Sequence, residues 1–255
     1  MIILALLVSF IFPLAVYFFL KSAHKDNKTY QQDCWKLLWN GWLLGFPVFG
    51  FSLLCKILFS ITRIDKLFPI ADLLFDAFVL KAFSEELMKY ILANKIISRR
   101  HQEVSFLDLM AYTTISAAGF EMMEMVVYVF STNIPQVLVR GISNMHAAFG
   151  MIMGFIIAFA YKKNWKKPVL WGILIPTLIH GTYDVCLDES VVDLFGGYVA
   201  LAIAFACLLI NIANVFFMIK ARKDPYYTDP LFPESADDSE ESPELPEEKE
   251  AEQDS

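Results

Sequence analysis

Between residues 2 and 219 the chain is a succession of apolar runs, each near the ~20 residues that an α-helix needs to cross a bilayer. They fall at roughly 2–20, 37–61, 69–94, 106–131, 135–161, 168–187 and 194–219. Inside lipid every backbone polar group must be satisfied by the segment itself or by a closed barrel. Runs of this length therefore dictate an all-α, polytopic transmembrane helix bundle of about seven spans. The hydrophobic share, 56%, lies above the ~45–50% of a soluble domain and agrees with that class. Gly45 and Pro47 are expected to split the second run.

Loop charge orients the bundle, because Lys and Arg collect on the cytoplasmic side of short loops. One set of segments carries Lys21, Lys25, Lys28 and Lys36, then Lys95, Arg99 and Arg100, then Lys162, Lys163, Lys166 and Lys167, then Lys220, Arg222 and Lys223. The alternate loops offer Arg63 and Lys66. Seven spans place the N-terminus outside and the C-terminus in the cytoplasm, in a multi-pass protein of the cell membrane. Residues 1–20 lack a basic leader and are followed by lysines, so they read as an uncleaved signal anchor. The membrane domain is expected over 1–222 and an acidic disordered cytoplasmic tail over 223–255, which is rich in Asp, Glu, Pro and Ser. The cysteines, Cys34, Cys55, Cys186 and Cys207, form no C-x-x-C pair and suggest neither a disulfide framework nor a thiolate site. No phosphate loop or nucleic-acid motif is present, and topology accounts for the basic loops.

Charge inside the spans is the informative exception. An ionisable group at the bilayer centre costs about 2.5–3.5 kcal/mol on insertion scales, so each one is a functional candidate. In the third span Lys81, Glu85 and Lys89 recur every four residues, with Glu86 about 100° around the helix from Glu85. Pairing of Lys81 with Glu85 and of Glu85 with Lys89 neutralises part of this set and leaves Glu86 unexplained. The fourth span holds Glu121 and Glu124 with no cation in the same helix, so both need partners from elsewhere, such as Lys81, Lys89 or Arg140. The fifth carries Arg140 and His146, and the sixth carries His180 and Asp184 one turn apart. Counting ~1.5 Å per residue from the span ends puts Glu85, His146 and His180 near mid-membrane, with Glu124 toward the outer side. One shared polar pocket is expected.

Such a pocket suits peptide hydrolysis, which needs a water deprotonated, an oxyanion stabilised and a leaving amine protonated. Two versions stay open. Glutamate and histidine can divide these tasks without a metal, or His146 and His180 with Glu124 or Asp184 can bind a divalent metal such as zinc with one position open. Asp184 has the alternative of orienting His180 from behind.

Four motifs now carry a resemblance. "EELMK" (Glu85, Glu86, Lys89), "FEMME" (Phe120, Glu124), "HAAFG" (His146, Gly150) and "HGTYD" (His180, Asp184) resemble, in order, the EExxK, FxxxE, HxxxG and HxxxD motifs of the PrsW intramembrane protease family. That family is distantly similar to the CAAX-processing and bacteriocin-processing membrane proteases. The resemblance spans residues 83 to 184 and implies cleavage of a membrane protein or peptide in or beside the bilayer, with an anti-sigma factor as one substrate type. It implies Glu85 and Glu86 as catalytic carboxylates, with His146 and His180 completing the site and Lys89 in the same motif. Other classes remain in view. Buried carboxylates and imidazoles also build proton- or cation-coupled transporters, although the internal repeats common there are missing; a non-catalytic scaffold that recruits a partner through its tail is the third reading.

Overall fold

A computed structural model describes residues 2–62, 69–131 and 134–232. Arg63, Lys66 and the tail from residue 233 onward lie outside the described residues. The elements are α1 (Ile2–Lys21) with a 3-10 turn (Ser22–His24), α2 (Lys28–Thr62), α3 (Pro69–Leu74), a π-helical stretch (Phe75–Phe83), α4 (Ser84–Arg99), α5 (Phe106–Ser131), α6 (Ile134–Ser143), α7 (Met145–Lys162), α8 (Pro168–Cys186), α9 (Glu189–Phe195), α10 (Tyr198–Ala221) and α11 (Pro225–Thr228). Among the described residues the chain is all-α, with an isolated antiparallel bridge between Ser105 and Pro230.

Helix α5 is the axis. Every residue from Phe106 to Met125 is buried, and α1, α2, α4 and α7 pack around it. Lipid tails supply no hydrophobic drive between apolar helices, so small residues that let backbones touch decide such packing. A Cβ on Gly119 would lie 2.2 Å from the Leu38 carbonyl oxygen, and one on Gly41 2.4 Å from that of Ser116. On the opposite flank a Cβ on Gly150 would meet the Thr113 carbonyl at 2.7 Å. The hydroxyls at this seam are all engaged: Thr113 and Thr114 donate to the carbonyls of Leu109 and Met110, and Ser116 donates across to the Lys89 carbonyl at 3.0 Å.

Among the described residues four stretches are long and apolar enough to cross a bilayer: Lys28–Ile61, Val137–Lys162, Pro168–Cys186 and Tyr198–Ala221. The other three expected spans correspond to α1, to α3 through α4, and to α5. Helix α2 starts earlier than expected and is not split, for it runs from Lys28 to Thr62 with Pro47 inside. Its C-terminal half exposes Phe46, Phe51, Leu53, Leu54, Ile57 and Leu58, the surface that lipid would cover. The expected fifth span is two helices, because Asn144 takes a left-handed conformation (φ 46°) between α6 and α7.

All the segments rich in Lys and Arg meet at one end of the bundle. His24 Nε2 lies 2.8 Å from Asp108 Oδ1, the Arg100 guanidinium donates to Asp33 at 3.1 Å, and Arg222 donates to the Phe19 carbonyl at 3.3 Å. The same end receives the start of the expected tail. Leu231 donates to the Val104 carbonyl at 2.8 Å, Phe232 stacks on His101 at 4.0 Å, and Tyr227 meets Phe106 edge-on at 5.2 Å. The segment from Asp224 to Phe232 is therefore packed, in contrast to the disorder expected from residue 223, because its aromatic residues find an apolar seat before the acidic run begins.

Candidate active site

The two adjacent glutamates sit in the first turn of α4, directly after the π-helical stretch. A π-helix bonds i to i+5 and so changes the phase of everything beyond it. Asp76 and Lys81, five residues apart, consequently share a face and pair at 2.8 Å, with Lys56 reaching the same carboxylate at 3.2 Å. The expected partnership of Lys81 with Glu85 is replaced by this pair. The Leu80 carbonyl, loosened from regular α-bonding, accepts from the hydroxyls of Ser52, at 2.8 Å, and of Ser84.

Beyond that point α4 turns Glu85, Glu86 and Lys89 into the protein, where each is buried. Lys89 Nζ lies 2.9 Å from Glu86 Oε1, 3.4 Å from Glu85 Oε2 and 2.8 Å from His146 Nδ1, above the ring of Phe120 at 4.4 Å. His180 Nδ1 is 3.0 Å from Glu86 Oε1. If Nδ1 donates there, Nε2 keeps its lone pair, and Nε2 lies 3.9 Å from Glu85 Oε2 and 3.5 Å from Asp184 Oδ2. His146 Nε2 lies 2.7 Å from Glu124 Oε2 and 3.9 Å from Glu85 Oε2. The two imidazoles are 5.0 Å apart by ring centroid, His180 stacked on Phe149 and His146 edge-on to Phe120.

All seven residues expected at the site (Glu85, Glu86, Lys89, Glu124, His146, His180 and Asp184) thus belong to one connected cluster. Their grouping differs from the expected ligand sets in one respect. One ligand atom each from Glu85, His146 and His180 lie within 4.8 Å of one another. Glu124 and Asp184 each flank one histidine. A carboxylate oxygen with two imidazole nitrogens, buried and mutually close, is the kind of donor set that holds a catalytic divalent metal with a position open. Glu86 Oε2, buried and with no hydrogen-bond partner, belongs to the carboxylate that contacts His180 of that set. The residues fit a metal.

Glu121 and Glu124 were expected to find a cation such as Lys81, Lys89 or Arg140, and the two carboxylates are answered differently. Glu121 Oε2 accepts from the His146 backbone N–H at 2.8 Å, satisfying a donor that the break at Asn144 frees. Asn, which tolerates the left-handed region, directly before "MH" was the signal for that break. Arg140 stands between the two flanking carboxylates, 4.0 Å from Glu124 Oε1 and 3.8 Å from Asp184 Oδ1. Arg140 and Asp184 line a cavity of about 520 Å³ that Lys81, Tyr128 and Tyr183 share with apolar residues including Leu73, Val139 and Leu201. The buried cluster therefore adjoins a cleft of a size that accepts a ligand, within the ~300–1,000 Å³ usual for such sites.

Comparison with known proteins gives a consistent result. The chain is 29% identical over 127 residues to Protease PrsW of Clostridioides difficile (strain 630), which covers 46% of this chain and 53% of that protein. It is 27% identical over 151 residues to Protease PrsW of Shouchella clausii (strain KSM-K16), 58% of this chain and 68% of the relative. Against Protease PrsW of Bacillus subtilis (strain 168) it is 29% identical over 119 residues, 44% of this chain and 54% of the relative. The chain spans about half the length of the Clostridioides and Bacillus proteins. No solved structure matches it. Residues 34–211 match the description "PrsW family intramembrane metalloprotease", a stretch that takes in α4 through α8 and every residue of the cluster. The chain belongs to the PrsW family of intramembrane metalloproteases.

Proposed function

We propose that this membrane protein is a metal-dependent intramembrane endopeptidase that hydrolyses a peptide bond of a membrane protein in or near the bilayer, with an anti-sigma factor as a candidate substrate. The observation that carries the reading is the convergence of Glu85, His146 and His180 from three helices into one buried donor set beside a cleft. The proposed orientation keeps the basic end cytoplasmic, so the cleft faces the outer half of the membrane.

Glu85, His146 and His180 would hold the metal, with zinc the expected ion. When bound, it supplies a Lewis acid that lowers the pKa of a coordinated water toward ~7 and polarises a carbonyl. Glu86 orients His180 through Nδ1, while its own Oε1 is held by Lys89. Its second oxygen, free of partners, is the base assigned to take a proton from water and return it to the departing amine. Lys89 offsets the charge of both glutamates, Glu86 and Lys89 meet the Nδ1 atoms of His180 and His146, and Asp184 and Glu124 lie beside the Nε2 atoms of the same rings, on the side that faces Glu85. Nothing in the comparisons favours the transporter reading.

The test uses the full chain purified in detergent, assayed against a panel of tagged single-span membrane proteins that includes an anti-sigma factor. The expected result is cleavage by the wild type, about one divalent ion per chain, and loss of both ion and cleavage in His146→Ala. Cleavage that survives exhaustive chelation, with no ion bound, would overturn the metal-dependent reading. Absence of cleavage across the panel by a metal-loaded chain would overturn the peptidase reading.

A further inference from the structure

Arg140 has no place in the hydrolytic scheme above, yet its surroundings are unusual for a buried cation. Its side chain is 3% exposed. Both of its ion pairs, at 4.0 and 3.8 Å, are longer than the ~2.7–3.2 Å of a hydrogen bond. Nη1 has no hydrogen-bond partner at all. Tyr128 and Tyr183 hold the guanidinium in place from their ring faces, at 4.0 and 5.3 Å. The group is thus fixed in position by stacking while Nη1 goes without a partner, and a buried donor left unmade costs about 1–3 kcal/mol, more when charged.

Its location gives those donors a use. Glu124, on one side, holds His146, and Asp184, on the other, holds His180. Arg140 therefore stands where the cavity passes into the buried cluster. The cavity's remaining lining includes Asp76, paired with Lys81, and Asp188, but is mostly apolar, with Leu73, Val139, Leu187 and Leu201, a surface that suits an uncharged stretch of chain.

We propose that Arg140 is the substrate anchor of the cleft: its unpartnered Nη1 donates to a backbone carbonyl oxygen of an apolar peptide segment lying extended in the cavity, and so presents the next peptide bond to the glutamate and histidine cluster. This rests on the peptidase reading. The recognised chemistry is a neutral carbonyl in an apolar strand; a terminal carboxylate is the competing ligand. An extended strand has backbone carbonyls with no intrachain partner, which is what a helical substrate would offer once locally unwound.

The experiment separates anchoring from hydrolysis by using the full chain in detergent with Glu85→Gln as background. The probe is a fluorescent apolar octapeptide of leucine and alanine, made as the C-terminal amide and as the free acid, with binding read by anisotropy. On that background Arg140→Lys, which keeps the charge toward Glu124 and Asp184 but loses the planar fork, is expected to leave the thermal midpoint in place. It is expected to weaken binding of the amide about tenfold, the effect of one charge-assisted bond. In the otherwise wild-type chain, phenylglyoxal labelling of Arg140, read by mass spectrometry, should slow when the amide is present. Equal affinity in Arg140→Lys, an unchanged labelling rate at saturating peptide, or no binding of the amide by the Glu85→Gln chain overturns the proposal. Binding of the free acid more than tenfold tighter than the amide replaces the carbonyl by a carboxylate and overturns it too. Peptide binding through Arg140 without cleavage of any reporter would leave the anchor standing and remove the peptidase reading.

Discussion

The two ends of the bundle treat buried polar groups in opposite ways. At the basic end the ion pairs are closed upon one another, although Arg222 Nε and the Tyr17 hydroxyl lack hydrogen-bond partners. Asp108 receives His24, the Ser105 backbone and the Ser105 hydroxyl at 2.7 to 3.0 Å, and Arg100 is shared between Asp33 and Glu103 at 3.1 and 2.9 Å. Toward the cavity end the groups are close but unfinished. Arg140 meets its carboxylates only at ion-pair distance, and Nη1 of Arg140, Oε2 of Glu86 and Oε1 of Glu121 lack partners. A satisfied network holds helices together, whereas an unsatisfied one carries a cost that a water, an ion or a ligand removes. Both ends have ion pairs and unmet groups; at the cavity end the unmet groups gather on the carboxylates and the guanidinium around two imidazoles, beside a cavity.

The comparison can be broken most sharply at the cluster. Glu85→Gln or His180→Ala should cut cleavage of a reporter by roughly 10²–10⁴-fold while the thermal midpoint in detergent stays near that of the wild type. A midpoint collapse with activity retained per folded molecule would reverse the distinction. Next comes the seam that supports both ends. Gly119→Val places a side chain where a Cβ already falls 2.2 Å from the Leu38 carbonyl, and overpacking of this kind costs about 1–3 kcal/mol. Its signature is loss of stability first and of activity only in proportion. At the closed end, His24→Ala should lower stability by about 1 kcal/mol, one hydrogen bond's worth, with specific activity untouched; reduced turnover at full folding would deny the division.

The smallest effect is a pH dependence. Hydrogen bonding to Asp108 raises the pKa of His24 above its ordinary 6.5. A group whose folded pKa is raised contributes stability fully present below the unfolded value and lost as pH climbs through the folded one. The wild-type midpoint should therefore fall more than that of His24→Gln as pH rises from 6 to 8. Parallel curves for the two chains would show the pair to be neutral in its coupling.

Much of the site was legible because burial of charge in lipid is so costly that ionisable residues in apolar runs declare themselves. Glu85, Glu86, Lys89, Glu124, His146, His180 and Asp184 all lie in the one cluster. Their division of labour was not legible. Expecting regular α-periodicity through residues 69–94 paired Lys81 with Glu85, and the π-helical stretch moved Lys81 to Asp76. Helix phase is set by backbone bonding that no side-chain pattern records. The break at Asn144, which turns Glu121 into a backbone acceptor, had one local signal that a run of apolar residues conceals. The all-α class followed from length and hydropathy; the packed segment from Asp224 to Phe232 did not, because compositional bias in the long acidic run outweighed a few aromatic residues ahead of it.

The pairing of Glu124 with Arg140 has a consequence for biogenesis. Helix α4 brings its own countercharge, since Lys89 answers Glu85 and Glu86 within about one turn, so it can partition into lipid unaided. Helix α5 has no such cation, and the one that answers Glu124 is made sixteen residues later on α6. Those two helices should leave the translocation machinery as a hairpin, so a nascent chain halted after Ser131 is expected to hold α5 outside the bilayer, a state that glycosylation-site mapping would detect.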